Sequence, residues 1–388
     1  MVGKTMIVKI SDNIISPLGT TTEENYVQIK AKASALRCYT NKWGLPEPFF
    51  ASLFKDNTIE QLFRNEALGQ TTAYTLFEQL AILSVQRALQ SCSYVDVSSP
   101  RVQFVLSTTK GNIDLLDNSK GFSQERVYLG CAAQYISKYF NNRNTPIVVS
   151  NACTSGACAQ LTAWRLLHTG QYDYVIVIGA ELQSKFIVSG FQSFKALSTD
   201  LCRPFDEKRC GLNIGEAAAT IIYAKTEEKN ITHRDWTLVC GAIRNDANHI
   251  SGPSRTGEGC YRALSHVLQN RKLEDIALLN THGTATIYND EMEAIAIERS
   301  GLAHIPINSL KGYYGHTMGA AGVLETIINQ RALDDNLILG TRGFKNLGVS
   351  RAVVVSSEHS YTSKNTFVKM LSGFGGCNAV LLFKKGVE

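Results

Sequence analysis

The chain has 388 residues, of which 44% are hydrophobic and 19% are charged, so it is long enough to bury a large core and has a globular composition. Its formal net charge of +5, from 39 basic and 34 acidic residues, is too small and too dispersed to indicate nucleic-acid binding, although it would suit a local patch for an acidic partner. No apolar run is long enough to span a membrane, and Met1–Ile10 lacks the apolar core of a signal peptide.

The ten cysteines are scattered along the chain, with no CxxC pair and no spacing typical of metal ligands. Because no export signal accompanies them, we predict reduced thiols, a cytoplasmic location and no metal site.

The first half of the sequence alternates predicted strands and helices. Thr21 and Glu24 have the spacing of a capping box that opens a helix. Residues 41–65 and 189–213 have no clear period and are interpreted as irregular. Strands are predicted over Met6–Ile15, Val102–Leu106, Ile147–Val149, Tyr174–Ile178 and Ala217–Ala224, and helices over Ala67–Gln90, Ser123–Tyr139 and Ala157–Thr169.

After a charged linker at residues 225–234 the alternation resumes. Strands are predicted over Trp236–Ile243, Ile276–Leu279, Ala352–Val355 and Ala379–Phe383, and helices over Thr256–Leu268, Asp290–Arg299 and Gly319–Leu333. Such alternation is typical of an α/β fold with largely parallel, buried sheets. Small-residue turns open a helix at both 153–156 and 316–322, a weak internal repetition that predicts two similar halves with a site between them.

Cys153 is predicted to lie on a tight turn between a strand and a helix. Unpaired N–H groups and the helix dipole favour a thiolate at such a position, which suits a nucleophile. The sequence leaves open the alternative that Cys153 is a small buried hydrophobe.

Two histidines lie among glycines and hydroxyl groups, and either could be a loop histidine that bonds its own backbone. His282 is in NTHGTAT, directly after a predicted strand, and His316 is in KGYYGH. Together with Cys153 they form a nucleophile-plus-imidazole set. A thiolate accepts acyl groups from thioesters, and two neutral imidazoles can donate to one thioester carbonyl, which stabilises the enolate left when a β-carboxylate departs as CO2.

These motifs resemble those of the β-ketoacyl-(acyl-carrier-protein) synthases, condensing enzymes with a Cys-His-His triad and a thiolase-like fold. The resemblance runs in order from Ser150 to the C-terminus and is less distinctive before Val102. It rests on the turn at Cys153, RPFD at 203–206 with GEA at 215–217, HGTAT at 282–286 with ND at 289–290 and Glu293, Lys311 before His316, GAAG at 319–322, and GFGG at 373–376 with Asn378.

The resemblance implies roles for the matching residues. Cys153 would take the acyl chain, while His282 and His316 would bind the malonyl thioester carbonyl and promote decarboxylation. Lys311 would hold the histidine network in place, and Glu293 would support it from behind.

Further roles follow from the same resemblance. The backbone N–H groups of Cys153 and Phe374 would form the oxyanion hole, and the Phe374 side chain would gate the second substrate. Thr284 and Thr286 would contact the phosphopantetheine arm. The remaining residues implied to bind substrate are Thr108, Gly375 and Gly376.

The resemblance also implies an architecture and partners. We expect a layered αβαβα fold with mixed, largely parallel sheets and two pseudo-symmetric halves, residues 1–228 with the cysteine and residues 229–388 with the histidines. We expect no bound cofactor, because acyl carrier protein supplies the phosphopantetheine together with the malonyl and acyl thioesters. The dimer would form with a second copy or with a related subunit.

Several positions depart from the family pattern and make the acyl substrate uncertain. Ser372 replaces a phenylalanine, Cys377 a threonine and Ala217 a glycine, while residues 107–112 lose the glycine-rich pattern that lines the acyl pocket. These changes indicate a specialised relative, acting on polyene, polyketide or other secondary lipid chains. A non-catalytic chain-length subunit and a coenzyme A-dependent thiolase-like enzyme remain the alternatives.

Overall fold

The computed structural model describes residues 5–66 and 71–386, and within these ranges fifteen strands and ten α-helices are formed. The strands are β1 (Thr5–Ile15), β2 (Arg37–Tyr39), β3 (Phe49–Ser52), β4 (Val102–Ser107), β5 (Ile147–Val149), β6 (Tyr174–Glu181), β7 (Ile214–Gly215), β8 (Ala217–Glu227), β9 (Trp236–Asn245), β10 (Ile276–Asn280), β11 (Ile307–Asn308), β12 (Leu337–Ile338), β13 (Ser360–Tyr361), β14 (Thr366–Gly373) and β15 (Cys377–Lys385). The α-helices are α1 (Thr22–Lys30), α2 (Thr58–Asn65), α3 (Leu76–Gln90), α4 (Leu129–Tyr139), α5 (Ser155–His168), α6 (Lys185–Ser193), α7 (Glu258–Leu268), α8 (Ile287–Arg299), α9 (Lys311–Tyr314) and α10 (Ala321–Asp334).

Ten strands form one sheet whose two halves mirror each other in order. The order is β11-β10-β14-β15-β9-β1-β8-β6-β4-β5, and the halves join through two residue pairs between β1 and β9. In each half the three outer strands are parallel, whereas the two inner strands pair antiparallel. The predicted α/β class is confirmed, but the expectation of largely parallel strands holds only for the outer three of each half.

Both halves of the sheet are buried on both faces. Val177 of β6 and Leu371 of β14 belong to a central core with α5 and α10, while their neighbours Ile178 and Met370 belong to two outer cores. The outer core of the first half packs on α3 and α4, and that of the second half packs on α7 and α8. Because side chains alternate along a strand, each half separates a central from an outer helical layer, which gives the predicted αβαβα arrangement.

The two central helices touch through their backbones near their N-termini. A Cβ atom on Gly156 of α5 would lie 2.9 Å from the Gly322 Cα of α10, and one on Gly322 would lie 2.5 Å from the Ala157 nitrogen. Neither position has room for a side chain, so glycine at both sets how closely the helices approach.

Some predicted elements of the first half are wrong. Residues 41–65, expected to be irregular, contain β3 and α2, because β3 pairs with β2 and β7 while Ile59 and Phe63 bury one face of α2. The helix expected from Ala67 begins at Leu76, where Thr75 and Glu78 form a capping box. Residues 67–70 of that prediction lie outside the described residues.

Other differences concern loops and the C-terminal strands. The predicted helix over residues 123–139 divides into a short 3-10 helix and α4, and α6 extends into the predicted loop at 189–213. Residues 352–355 form no strand, since Val355 makes only an isolated bridge to Ile307. Strand β14, which lies between β10 and β15, was not predicted from the sequence. The boundary predicted between residues 228 and 229 stays a prediction.

The contact between α5 and α10 predicts that Gly322→Ala destabilises the protein. Overpacking of this kind costs about 1–3 kcal/mol. Chemical denaturation followed by circular dichroism measures the loss. Gly130→Ala is the matched control, because a Cβ atom at this exposed position of α4 meets nothing within 4 Å. A Gly322→Ala protein as stable as the Gly130→Ala protein would contradict the prediction.

Candidate active site

Cys153 occupies the predicted turn between β5 and α5. The preceding residue, Ala152, has a φ of 46°, a left-handed conformation that L-residues other than glycine rarely adopt. Ser155 holds the turn, since its hydroxyl donates to the Ala152 carbonyl at 2.6 Å and accepts from the Asn151 N–H at 2.8 Å. A strained, locked backbone of this kind is typical of functional positions.

The Cys153 thiol is neutral in the resting protein. Burial raises its pKa to about 11, an effect that Lys311 and the backbone N–H of Phe374 only partly oppose. The sequence-based expectation of a thiolate is therefore wrong for the resting state, because the loss of hydration outweighs the helix N-terminus.

The two predicted histidines meet beside this thiol. The rings of His282 and His316 are 5.0 Å apart between centroids and lie at 82° to each other. The Cys153 sulfur and one nitrogen of each ring all lie within 4.8 Å of one another. Residues far apart in the sequence thus form one cluster, as the sequence analysis predicts.

The hydrogen bonds of the two rings leave nitrogen atoms free for a ligand. His316 Nδ1 accepts from the Met318 N–H at 3.3 Å, which assigns the ring proton to Nε2, and this Nε2 is buried without a partner. Nδ1 of His282 is also buried without a partner. An orphaned buried polar atom is costly unless a bound molecule satisfies it.

Both imidazoles are neutral. Burial, with Lys311 as the next largest cause, holds the pKa of each ring well below its ordinary value of 6.5. A neutral imidazole can donate one hydrogen bond to a carbonyl oxygen, and it is then poised to stabilise negative charge that develops there.

Lys311 is part of a buried cluster of three charges. Its Nζ donates to Glu325 Oε1 at 2.8 Å, and the Lys369 Nζ lies 2.7 Å from Oε2 of the same carboxylate. Glu325 and Lys369 were not predicted from the sequence. The available signal was a charged residue within the apolar runs at the start of α10 and in β14.

The charge of this cluster, and not the spacing of residues in the sequence, disfavours the binding of a divalent metal ion at the candidate site. Spacing in the sequence does not exclude a metal ion, because Cys153, His282 and His316 come within ligand distance of one another. The neighbouring cluster of Lys311, Glu325 and Lys369, however, carries two ammonium groups and one carboxylate, and Glu325 already contacts both ammonium groups. Its surplus positive charge repels a cation.

Glu293 braces the His282 loop through backbone contacts. Its carboxylate accepts from the N–H groups of His282 at 2.6 Å and Gly283 at 2.7 Å, and from the Asn289 side chain at 2.9 Å. Burial raises its pKa to about 7. These contacts fit the supporting position expected from the family resemblance.

Two cavities meet at Cys153, and Phe374 belongs to the wall of both. The first, of about 420 Å³, contains both histidines together with Thr284 and Thr286. The two threonine hydroxyls lie 2.9 Å apart, so they can act as one polar contact. The second, of about 830 Å³, extends toward α6.

Phe374 is suitably placed for a gate between the cavities. The residue is 37% exposed, and its ring lies 6.0 Å from the Phe191 ring and 5.6 Å from the Phe194 ring, measured between centroids. Gly376 lines the first cavity, and its φ of 75° favours glycine.

Two predicted substrate contacts are placed elsewhere. Thr108 is fully buried, its hydroxyl lies 3.3 Å from Glu181 Oε1, and it lines neither of the two cavities described above. Its neighbours Thr109 and Lys110 line the second cavity instead, because a tight turn after β4 points successive residues in different directions. Gly375 is exposed and lines neither cavity.

Comparisons with known proteins agree over nearly the whole chain. Residues 10–229 match the family described as "Beta-ketoacyl synthase, N-terminal domain", and residues 237–345 match the corresponding C-terminal domain. The 3-oxoacyl-(acyl-carrier-protein) synthase 2 of Rhizobium meliloti is 31% identical over 66% of this chain and 65% of its own length. The Vibrio cholerae protein of the same name is 27% identical over 98% of this chain and 99% of its own length.

Solved structures show the same fold. A β-ketoacyl synthase from Burkholderia phymatum superposes with a TM-score of 0.86 at 24% identity, over 99% of this chain and 100% of that chain. A structure from Xenorhabdus doucetiae, a ketosynthase in complex with its chain length factor, superposes with a TM-score of 0.84 at 20% identity, over 98% of each chain. Across the part of this chain that the structure describes, no helix is long and apolar enough to cross a membrane.

The buried lysines are expected to lower the pKa values of both histidines. We expect both rings to stay neutral well below pH 6.5, and Lys311→Met to raise both pKa values because one nearby cation is removed. NMR of protein labelled in the imidazole rings, with His282→Gln and His316→Gln for assignment, measures the shift. A titration midpoint at or above pH 6.5 in the unsubstituted protein would contradict this expectation.

Proposed function

Because the chain belongs to the β-ketoacyl synthase family, we propose that it joins an acyl group held on Cys153 to a malonyl unit by decarboxylative Claisen condensation. The observation that carries this proposal is the meeting of one thiol and two neutral imidazoles at the junction of two cavities. One cavity would take the acyl chain and the other the malonyl arm.

The first half-reaction is acyl transfer. The Cys153 sulfur attacks the thioester carbonyl of the incoming acyl group, and the S–H proton is transferred overall to the departing thiol. The N–H groups of Cys153 and Phe374 would hold the oxyanion of the tetrahedral intermediate. A neutral resting thiol fits this exchange, because neither the reactants nor the products carry a net charge.

The second half-reaction is decarboxylation and carbon–carbon bond formation. His282 and His316 donate hydrogen bonds to the malonyl thioester carbonyl, the carbon–carboxylate bond breaks, and CO2 leaves an enolate. The enolate carbon attacks the Cys153 thioester, and collapse of the intermediate expels the cysteine sulfur, which takes a proton from solvent. The product is a β-ketoacyl thioester two carbons longer.

The partner proposed for both steps is an acyl carrier protein. Its phosphopantetheine arm would enter the first cavity and contact Thr284 and Thr286, so the protein itself needs no bound cofactor. We further propose a dimer, with a second copy or with a related subunit. The Xenorhabdus ketosynthase in complex with its chain length factor supports the latter arrangement.

The acyl chain proposed for the second cavity carries polar groups. Lys110 lines this cavity, and no carboxylate among the described residues lies within ion-pair distance of its ammonium group, which is 3.4 Å from the Thr109 carbonyl. The backbone that carries Lys110 is held in place, because Glu181 accepts from the N–H groups of Thr109 at 2.8 Å and Lys110 at 3.1 Å. An ammonium group in the wall favours oxygen-bearing chains over plain alkyl chains.

Intact mass spectrometry tests the proposed reaction. The wild-type protein is expected to gain an acyl mass from acyl carrier proteins of graded chain length, and Cys153→Ala is expected to gain none. His316→Ala should still become acylated but should release CO2 from malonyl carrier protein roughly 100-fold more slowly, the cost of one lost oxyanion donor.

The same experiment separates the alternatives. No acyl mass from any carrier, alone or with a related subunit present, would overturn the proposal in favour of a non-catalytic partner subunit. Acylation from coenzyme A esters in the absence of carrier, with no use of malonyl carrier protein, would favour a thiolase-like enzyme.

Lys110→Met tests the proposed acyl preference. Removal of the ammonium group should raise the acylation rate with saturated chains relative to chains that bear keto groups, by roughly tenfold. Lys185→Met is the control, because Lys185 lines the same cavity but is exposed. An unchanged ratio for Lys110→Met would show that this lysine does not select the chain.

A further inference from the structure

Lys369 is a buried cation in an apolar strand. It lies in the middle of β14, fully buried, beside Val368 and Met370. Moving an ammonium group out of water costs several kcal/mol unless charges and hydrogen bonds compensate it. A methionine or leucine would fill such a position without this cost, so the charge itself requires an explanation.

The compensation that Lys369 finds is shared with a second lysine. Its Nζ lies 2.7 Å from Glu325 Oε2, a close ion pair rather than a well-aligned hydrogen bond, and it donates to the Met370 carbonyl at 2.9 Å. Glu325 Oε1 accepts from Lys311 at 2.8 Å. The three side chains are at most 4% exposed.

One lysine would have sufficed to neutralise this carboxylate. Lys311 and Glu325 alone form a neutral pair, which is the less costly arrangement in a buried site. Lys369 leaves the cluster with a net charge of +1. Pairing with Glu325 alone therefore does not account for the second lysine, which also interacts with the carboxyl of Glu293.

The surplus charge faces the candidate active site. Among the described residues, the groups that interact with the cluster electrostatically are the imidazoles of His282 and His316, the carboxyl of Glu293, the hydroxyl of Tyr314 and, through Lys311, the thiols of Cys153 and Cys202. Lys369 also pairs in register with Asn280, the last residue of β10, two positions before His282. The strand that carries it continues directly to Phe374.

We propose that Lys369 is a positioning residue for the condensation: it gives the buried cluster that it forms with Lys311 and Glu325 a net positive charge, which favours negative charge on the malonyl thioester oxygen bound by the two imidazoles. The inference rests on the proposed function. Burial and the neighbouring cations act together here, because Lys311 and Lys369 both lower the pKa of each ring. Charge in a poorly hydrated site acts over several ångströms, so direct contact with substrate is not required.

The test separates the effect of the Lys369 charge from the effect of its packing. Lys369→Met keeps a long apolar stem but leaves a neutral Lys311–Glu325 pair. We expect decarboxylation of malonyl carrier protein to slow roughly tenfold, with a smaller effect on acylation of Cys153. The acid limb of the pH–rate profile should move to higher pH, because each imidazole gains a proton more easily once a cation is lost.

A second variant restores the charge without restoring the lysine. In Lys369→Met combined with Glu325→Gln, Lys311 alone supplies the net charge of +1, so decarboxylation and the acid limb should return toward wild type. If Lys369 only stabilised the fold, decarboxylation by the double variant would be slower than by Lys369→Met, because the double variant removes more contacts. Circular dichroism and denaturant unfolding report whether each variant is folded.

The outcomes are distinguishable. Absence of malonyl decarboxylation in the wild-type protein would overturn the proposed function. The role of Lys369 would be overturned, and the proposed function kept, by a different result. In that case the wild-type protein decarboxylates, Lys369→Met is folded and decarboxylates within twofold of the wild-type rate, and the acid limb of its pH–rate profile does not move. If Lys369→Met does not fold, the double variant provides the test. A decarboxylation rate near that of the wild type supports the role of the net charge, and a loss of tenfold or more contradicts it.

Discussion

The approach of α5 to α10 is the constraint on which the candidate site depends. Gly156 and Gly322 let the two helix backbones touch, and this contact brings their N-terminal turns together. Each turn has a left-handed, non-glycine residue three positions before its helix, Ala152 with a φ of 46° and Met318 with a φ of 43°. The two turns therefore repeat each other in backbone conformation. They lie at the contact between the two halves, where the thiol and the histidines meet.

Burial at this contact determines the electrostatics of the site. Away from water, the pKa of Cys153 rises while those of His282 and His316 fall, so all three groups rest uncharged. Lys311, Glu325 and Lys369 lie nearby, and the sum of their three charges is positive. A neutral site beside a positively charged cluster is suited to a reaction in which negative charge develops on an oxygen.

The sequence predicted the site better than it predicted some of the elements around it. Cys153, His282 and His316 stand in distinctive turns of glycine and hydroxyl residues, which local patterns reveal. Thr108 was misassigned because the direction of a side chain in a tight turn depends on the backbone path. Residues 41–65 and β14 were missed, because β3 and β14 depend on more than a nearby partner strand. Besides β2 or β15, each pairs with a strand far away in the sequence, β7 or β10.

The sequence by itself determined the α/β class, the turn at the nucleophile and the family, since strand and helix periodicity and ordered motifs are local properties of a chain. The tertiary structure alone decided the ionisation of these groups and the membership of the buried cluster. Glu325 and Lys369 look like isolated charges in apolar runs, and only the packing of α10 against β14 makes them partners. Ionisation depends on lost hydration and on neighbouring charges, and neither can be assigned before the chain is folded.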